Sequence, residues 1–98
     1  MIATEQKTME HAAKVEVYCT RTCPYCHLAR QLLDKKGVEY TEFYIDKERH
    51  LREEMEDRSS RTSVPQIFID GKHVGGFEDM AELDMDGELD PLLGLVKD

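Results

Sequence analysis

The sequence has no apolar run approaching the roughly 18 residues that a membrane-spanning helix needs. Its first residues, Met1-Ile2-Ala3-Thr4-Glu5, lack the hydrophobic core of a secretory signal. Cysteine is scarce, and three cysteines in 98 residues is an odd, low number that argues against a disulfide-stapled secreted fold. We therefore expect a cytoplasmic protein whose cysteines are reactive or bind metal.

Basic residues are nearly absent from the last quarter of the chain. Residues 1–76 hold 12 Lys and Arg against 13 Asp and Glu, whereas residues 77–98 hold Lys97 alone against eight acids. With a formal net charge of -8, the chain lacks the basic face that nucleic acids and anionic membranes require. We expect an acidic, solvated surface that binds neither.

No internal repeat, low-complexity tract or linker divides the chain, and 98 residues is the size of one small domain. The first dozen residues are polar and have no helix or strand pattern, as in a flexible terminus. We predict an N-terminal tail over residues 1–13, one domain over residues 14–98, and a monomer.

Hydrophobic periodicity predicts an alternation of strands and helices. Asp70-Gly71 indicates a hairpin between two later strands, and Asp90-Pro91 indicates the start of a last helix. Strands joined through a helix are parallel, whereas the hairpin adds two antiparallel strands. The predicted fold is α/β, with a four-stranded mixed sheet and helices on both faces. Its elements are strands at Val15–Cys19, Tyr40–Ile45, Gln66–Ile69 and His73–Val74 and helices from Pro24 to about Gly37, Lys47–Asp57, Phe77–Met85 and after Asp90.

The motif Cys23-Pro24-Tyr25-Cys26 falls at the junction of the first strand and the first helix. Unpaired N–H groups and the positive end of the helix dipole favour a thiolate there, so we expect a lowered pKa for Cys23. Cys26 lies one turn deeper on the same helical face, within reach of a disulfide. The pattern predicts a redox pair in which Cys23 attacks and Cys26 resolves the mixed disulfide.

Zinc binding is the rival interpretation of two cysteines at this spacing, and it needs two more ligands. Cys19 and His27 are the candidates, but one lies in a strand and the other points away from Cys26, so a tetrahedron is awkward to close. We interpret Cys19 as a small buried strand residue and His27 as a solvated helix residue, and we predict no metal site.

Three segments together resemble one family. They are Cys23-Pro24-Tyr25-Cys26-His27, the run from Arg61 to Ile69, and Gly75-Gly76-Phe77-Glu78-Asp79. In this order and at these separations they are similar to a dithiol glutaredoxin of the bacterial type, over about residues 14–93. The resemblance implies the thioredoxin fold, which agrees with the predicted architecture, and a glutathione-dependent disulfide oxidoreductase with glutathione as co-substrate and no bound cofactor.

The same resemblance implies that Pro65 is cis and that its loop lies beside Cys23. The backbone of Val64 then pairs with glutathione as an added strand does, while Glu78 and Asp79 hold its charged γ-glutamyl end. Tyr25 is expected to pack its ring beside the disulfide. The resemblance assigns catalysis to Cys23 and Cys26 and glutathione binding to Arg21, Tyr25, Arg61, Ser63, Val64, Pro65, Gly76, Glu78 and Asp79.

One position departs from the family pattern. Members usually carry a lysine three residues before the first active cysteine, where this chain has Thr20, with the positive charge displaced to Arg21. Arg21, with Arg61 as a second candidate, is then the expected partner of a glutathione carboxylate; the alternative is a weaker affinity for glutathione. An alternative function is an iron-sulfur or metal-carrying module that uses Cys23, although Pro24 makes the resemblance to such relatives poorer. Disulfide-containing and glutathionylated proteins are the expected partners.

Overall fold

Four strands and four helices follow one another within residues 13–95, the part of the chain that the computed structural model describes. Most of the predicted tail, residues 1–12, lies outside the described residues. None of the described helices is long and apolar enough to cross a membrane. The strands are β1 (Val15–Cys19), β2 (Thr41–Tyr44), β3 (Gln66–Ile69) and β4 (Lys72–Gly75), and the helices are α1 (Pro24–Lys36), α2 (Arg49–Ser59), α3 (Phe77–Met85) and α4 (Leu89–Leu92).

The strands form one mixed sheet in the order β2-β1-β3-β4. β1 and β2, which are joined through α1, are parallel, whereas β3 pairs antiparallel with both β1 and β4. The β3–β4 turn is the predicted Asp70-Gly71 hairpin, with both residues at positive φ. The predicted mixed sheet is confirmed.

Each face of the sheet carries its own buried cluster, because successive side chains of a strand point to opposite faces. Val17 and Cys19 of β1 pack with α1, α3 and α4, whereas Tyr18 packs beneath α2 with Phe68 of β3. Helices therefore cover both faces, as predicted. The larger cluster contains Val15, Val17, Cys19, Cys26, Ala29, Leu33, Ile67, Ile69, Met80, Leu89 and Leu93.

Helix α1 begins at Pro24, where the missing N–H costs nothing, and ends before Gly37, which adopts the left-handed conformation at φ 75°. Its buried face consists of Cys26, Ala29 and Leu33. Tyr25 and Leu28 are exposed. The first two turns of α1 therefore present two large apolar side chains to solvent.

The last helix differs from its predicted start. It spans Leu89–Leu92 with Glu88 at the N-cap position, so Asp90 lies inside the helix rather than capping it. The reason is a distant partner, since Lys36 Nζ lies 2.8 Å from the Asp90 carboxylate and 2.6 Å from that of Asp84.

Helix α2 begins two residues later than predicted. The N–H groups of Lys47 and Glu48 both donate to the carbonyl oxygen of Tyr44, at 3.1 and 3.3 Å. These bonds form a turn that closes β2, and α2 starts at Arg49 only after it.

Candidate active site

Cys23 occupies the N-cap position of α1, in extended backbone conformation. Its side chain is half-buried, and the Sγ atom lies 3.8 Å from the carbonyl oxygen of Val64, to which the thiol donates. The side chain makes no capping hydrogen bond to the helix, but the nearby N–H groups of Tyr25 and Cys26 favour its thiolate. Cys23 is therefore held between a helix start and the loop that precedes β3.

Burial raises the pKa of the Cys23 thiol above its ordinary value, although the N–H groups of Cys26 and Tyr25 act to lower it. This corrects the expectation of a lowered pKa, which considered the helix start alone. A carbonyl oxygen accepts a hydrogen bond from a thiol but cannot donate one to a thiolate, so the Val64 contact also favours the protonated form. The free dithiol thus favours Cys23 as a thiol.

Cys26 is fully buried one turn farther along α1. The thiols of Cys19 and Cys23 and the N–H of Thr20 lie close enough to affect its ionisation. The neighbouring Cys19 thiol and burial raise the pKa of Cys26. A sulfur with no exposed surface cannot meet a substrate, but Cys26 can reach Cys23 from below.

Among residues 13–95, no three His, Cys, Asp or Glu side chains are grouped so that they could hold a metal ion. Cys26 neighbours one further thiol, Cys19, which is part of the buried cluster. His27 is exposed.

An open groove of about 300 Å³ lies beside Cys23, within the size range of small-molecule sites. The Val64–Pro65 peptide bond at its floor is cis, which confirms that expectation. We call this surface the cis-proline groove. It contains every predicted glutathione-binding residue except Arg21, together with two that were not predicted, Gln66 and Phe77. Its lining residues are Tyr25, Arg61, Ser63, Val64, Pro65, Gln66, Gly76, Phe77, Glu78 and Asp79.

Asp79 is the anchor of one wall of the cis-proline groove. Its Oδ2 accepts from the N–H of Gly76 at 2.9 Å and from the Arg61 guanidinium at 3.0 Å. These two donors hold the pKa of the Asp79 carboxyl below its usual range. Gly75 has a φ of 121°, and a Cβ atom there would collide with the Asp79 carboxylate. Glycine at 75 is therefore required for this arrangement.

The low pKa of Asp79 predicts a specific pH dependence of stability. A carboxyl with a depressed folded-state pKa stabilises the fold above the unfolded value of about 3.9, and this contribution is lost as the pH falls through the folded pKa. We expect Asp79→Asn to lower the free energy of unfolding by about 0.5–1 kcal/mol near neutral pH, toward the lower end because the side chain is half-exposed.

Urea denaturation of both proteins across the acid range measures this difference. It should vanish below the folded-state pKa of Asp79, where the wild-type carboxyl is also uncharged. Asp57→Asn, an exposed position on α2, is the matched control and should behave as wild type. A difference between Asp79→Asn and wild type that persists unchanged at low pH contradicts the electrostatic explanation.

Sequence reasoning missed Gln66, a fully buried polar residue at the base of the groove. Its amide nitrogen donates to the carbonyl and hydroxyl oxygens of Ser63 at 3.0 and 3.3 Å, so its amide oxygen accepts from Nε2 of His73 at 2.7 Å. The amide nitrogen thus holds the loop before Val64, and the amide oxygen ties Gln66 to β4. The signal was a single polar residue opening the buried run Gln66–Ile69, since buried polar groups need partners.

Arg21 does not line the groove. Its Nε lies 3.2 Å from Oδ2 of Asp46, with a longer bond of 3.5 Å from its N–H to the same oxygen. The guanidinium is largely exposed. Arg61 is therefore the arginine that the structure brings into the cis-proline groove.

A dithiol at a helix start, facing a cis-proline loop on a mixed four-stranded sheet, defines the class of thiol-disulfide oxidoreductases with the thioredoxin fold. One cysteine is partly accessible, its partner is buried beneath it, and an open groove begins at Val64, whose carbonyl oxygen contacts the accessible sulfur.

Comparison with known proteins narrows the class to one family. The glutaredoxin family model matches residues 15–74. Glutaredoxin 3 of Escherichia coli K12 is 57% identical over 81 residues, covering 83% of this chain and 98% of the relative. The solution structure of glutaredoxin from Brucella melitensis has a TM-score of 0.76 at 42% identity and covers 89% of this chain and 95% of that one. A buckwheat glutaredoxin-glutathione complex has a TM-score of 0.77 at 27% identity, covering 94% and 87%.

The chain belongs to the glutaredoxin family. It is a glutathione-dependent thiol-disulfide oxidoreductase.

Proposed function

We propose that Cys23 is the nucleophile for both glutathione mixed disulfides and protein disulfides, and that glutathione binds in the cis-proline groove as a co-substrate. The observation that supports this most directly is the depth of the two sulfurs. Cys23 is half-buried at the groove, whereas Cys26 has no exposed surface. An incoming disulfide can therefore meet Cys23 but not Cys26.

The backbone of Val64 pairs with the extended peptide of glutathione, as a sheet edge does with an added strand. A substrate N–H that donates to the Val64 carbonyl replaces the Cys23 thiol as the partner of that oxygen. The N–H groups of Tyr25 and Cys26, which favour the thiolate, then act without this opposing contact. Substrate binding thereby helps to ionise Cys23.

The charged ends of glutathione meet the two walls of the groove. Arg61 offers a guanidinium to a glutathione carboxylate. Asp79 and Glu78, in the first turn of α3, offer carboxylates to the ammonium of the γ-glutamyl residue. The N–H groups at the start of α3 bind the carboxylate of the same residue. Tyr25, a residue that is 52% exposed, covers the apolar region beside the disulfide.

Catalysis then follows from thiol-disulfide exchange. With a glutathionylated protein, the Cys23 thiolate attacks the glutathione sulfur, the protein thiolate leaves, and a second glutathione releases the first as oxidised glutathione. With a protein disulfide, Cys23 forms the mixed disulfide and Cys26 attacks Cys23 to release the reduced protein. Glutathione afterwards reduces the Cys23–Cys26 disulfide.

We also propose that the protein works as a cytoplasmic monomer. The cycle consumes reduced glutathione, which the cytosol supplies. Among the described residues, the large apolar side chains that are exposed are Tyr25, Leu28 and Met85, too few to form the extended apolar patch of a stable interface.

The experiment is to mix the oxidised protein with reduced glutathione, stop the reaction with acid and measure the intact mass. We expect one glutathione to add, and peptide mapping should locate it on Cys23. The dithiol protein treated with reduced glutathione is the control and should gain no mass. Addition of glutathione to Cys26 or Cys19, or of two molecules at once, contradicts the proposed roles.

A further inference from the structure

Gln66 and His73 form a hydrogen-bonded pair that joins the first residue of β3 to the second residue of β4. Nε2 of His73 lies 2.7 Å from Oε1 of Gln66. The hairpin brings the two side chains together, because Phe68, which shares a face of β3 with Gln66, lies opposite His73 in the register. The His73 ring also packs against the Phe68 ring, with 5.0 Å between the ring centroids. His73 is therefore held in place by packing as well as by its bond to Gln66.

The hydrogen atoms of this pair follow from the other partner of Gln66. A backbone carbonyl only accepts hydrogen bonds, so the Gln66 group that lies 3.0 Å from the Ser63 carbonyl oxygen is the amide nitrogen. Oε1 of Gln66 then faces His73, and Nε2 of His73 carries the hydrogen. Burial and the positive charge of Arg61 lower the pKa of His73, so its ring is neutral at neutral pH. The hydrogen bonds thus run from His73 through Gln66 to Ser63.

The Ser63 carbonyl belongs to the same peptide unit as the N–H of Val64. That peptide bond is trans, since the one cis bond among residues 13–95 is Val64–Pro65. In a planar trans peptide the C=O and the N–H point in opposite directions. Gln66 is fully buried at the base of the cis-proline groove. A Ser63 carbonyl held toward Gln66 therefore directs the Val64 N–H away from the core, toward the side on which the groove opens.

The segment that contains this peptide has little else to fix it. Residues 61–65 belong to no helix or strand, and Ser63 is exposed. Without the bond from Gln66, the Ser63–Val64 peptide is free to rotate. A ligand that pairs with the Val64 backbone must then select one orientation among several, which costs affinity, whereas an orientation fixed in advance avoids that cost.

We propose that Gln66 and His73 are positioning residues for glutathione, which hold the Val64 N–H in the direction that pairing with the glutathione backbone requires. The inference rests on the proposed binding of glutathione in the cis-proline groove. His73 does not line that groove but a neighbouring one between β4, α3 and α4. Its effect on glutathione therefore passes through Gln66.

The test measures binding separately from chemistry. S-methylglutathione carries the glutathione backbone but has no thiol, so it cannot exchange with Cys23. Titration of the reduced protein, followed by NMR, gives the dissociation constant and should shift the Val64 N–H signal. Gln66→Met keeps the approximate length of the side chain but cannot donate to Ser63. We expect its affinity for S-methylglutathione to be about tenfold lower, the effect of one hydrogen bond of ordinary strength.

Variants of His73 test the indirect part of the inference. His73→Phe keeps the ring packed on Phe68 but leaves Oε1 of Gln66 without its donor, and we expect affinity to fall about fivefold. His73→Gln places an amide nitrogen near the position of Nε2 and should bind within about twofold of wild type. Lys72→Gln, at the exposed neighbouring position on β4, is the matched control and should bind as wild type.

Two further measurements distinguish positioning of glutathione from a general effect on the site. The rate at which iodoacetamide alkylates Cys23 reports the reactivity of its thiol without glutathione, and it should stay within about twofold of wild type in every variant. With a glutathionylated peptide as substrate, Gln66→Met and His73→Phe should raise KM while kcat changes little, because the lost interaction is made equally in the bound substrate and in the transition state.

The outcomes are distinct. Wild-type affinity for S-methylglutathione in both Gln66→Met and His73→Phe overturns the inference, and so does a fall in affinity matched by an equal fall in the alkylation rate of Cys23. Equal losses in His73→Gln and His73→Phe also overturn it, because the donor is then not the property that matters. If Gln66→Met does not fold, the two His73 variants decide the question. If wild type itself does not bind S-methylglutathione, the proposed groove fails and this inference with it, a result that no difference among variants can produce.

Discussion

Cys23→Ser loses turnover of both a glutathionylated protein and a protein disulfide, by at least about 10⁴-fold relative to wild type. The reason is that every proposed step passes through a bond to this sulfur, and a serine hydroxyl is far less acidic than a thiol at the same position. Cys26 cannot substitute for it, because it has no exposed surface. Glutathione-coupled assays with each substrate measure the loss.

The control for this variant is His27→Ser, which changes an exposed residue on the same helix and should keep wild-type rates. Matching unfolding temperatures exclude loss of the fold as the cause. Residual turnover in Cys23→Ser that disappears only when Cys26 is also replaced would mean that the buried sulfur can attack substrates, and the assignment of roles would then be reversed.

Cys26→Ser separates the two reactions of the enzyme. Release of glutathione from a protein needs one enzyme thiol and glutathione, so its rate should stay within a few-fold of wild type. Reduction of a protein disulfide needs the intramolecular attack on Cys23, and we expect it to fall by about 100-fold, since the advantage of a held neighbouring nucleophile is lost.

Parallel assays of a glutathionylated protein and a protein disulfide with one preparation of Cys26→Ser give the ratio of the two rates directly. Wild type belongs in the same series as the reference for both rates. Equal loss of both reactions in Cys26→Ser would contradict the one-thiol route for glutathionylated substrates.

The strands and the first helix could be predicted because their causes are local. Val15–Cys19 alternates between two buried faces, and Gln66–Ile69 is a short apolar run closed by the Asp70-Gly71 turn. Pro24 and Gly37 mark the two ends of α1 by their backbone preferences alone. Each of these signals lies within a few residues of the element that it specifies.

The features that were missed depend on contacts between distant segments. Asp90 is a residue type that often caps helices, but its carboxylate instead pairs with Lys36. Arg21 is close to the cysteines in sequence, yet Asp46 from the turn after β2 pairs with it. No local pattern encodes either partner, so the predicted helix start and the predicted place of Arg21 in the site could not be corrected from sequence.

The ionisation of Cys23, at the centre of the site, also depends on contacts that local sequence patterns do not encode. Its position at a helix start was readable from Pro24, and the N–H groups of Tyr25 and Cys26 do act in the predicted direction. Burial and the Val64 carbonyl, which reaches Cys23 from 41 residues away, oppose them. The resemblance to the family supplied the cis-proline loop as a neighbour of Cys23 but not the effect of its carbonyl on the thiol.

The geometry at Gly75 limits how the groove could be redesigned. Its backbone has a φ of 121°, and any side chain there would displace the carboxylate that organises the neighbouring wall. Attempts to alter substrate preference by random mutagenesis should therefore keep this codon unchanged. Glu78, which lines the same groove, is a position where new chemistry could be introduced without dismantling its scaffold.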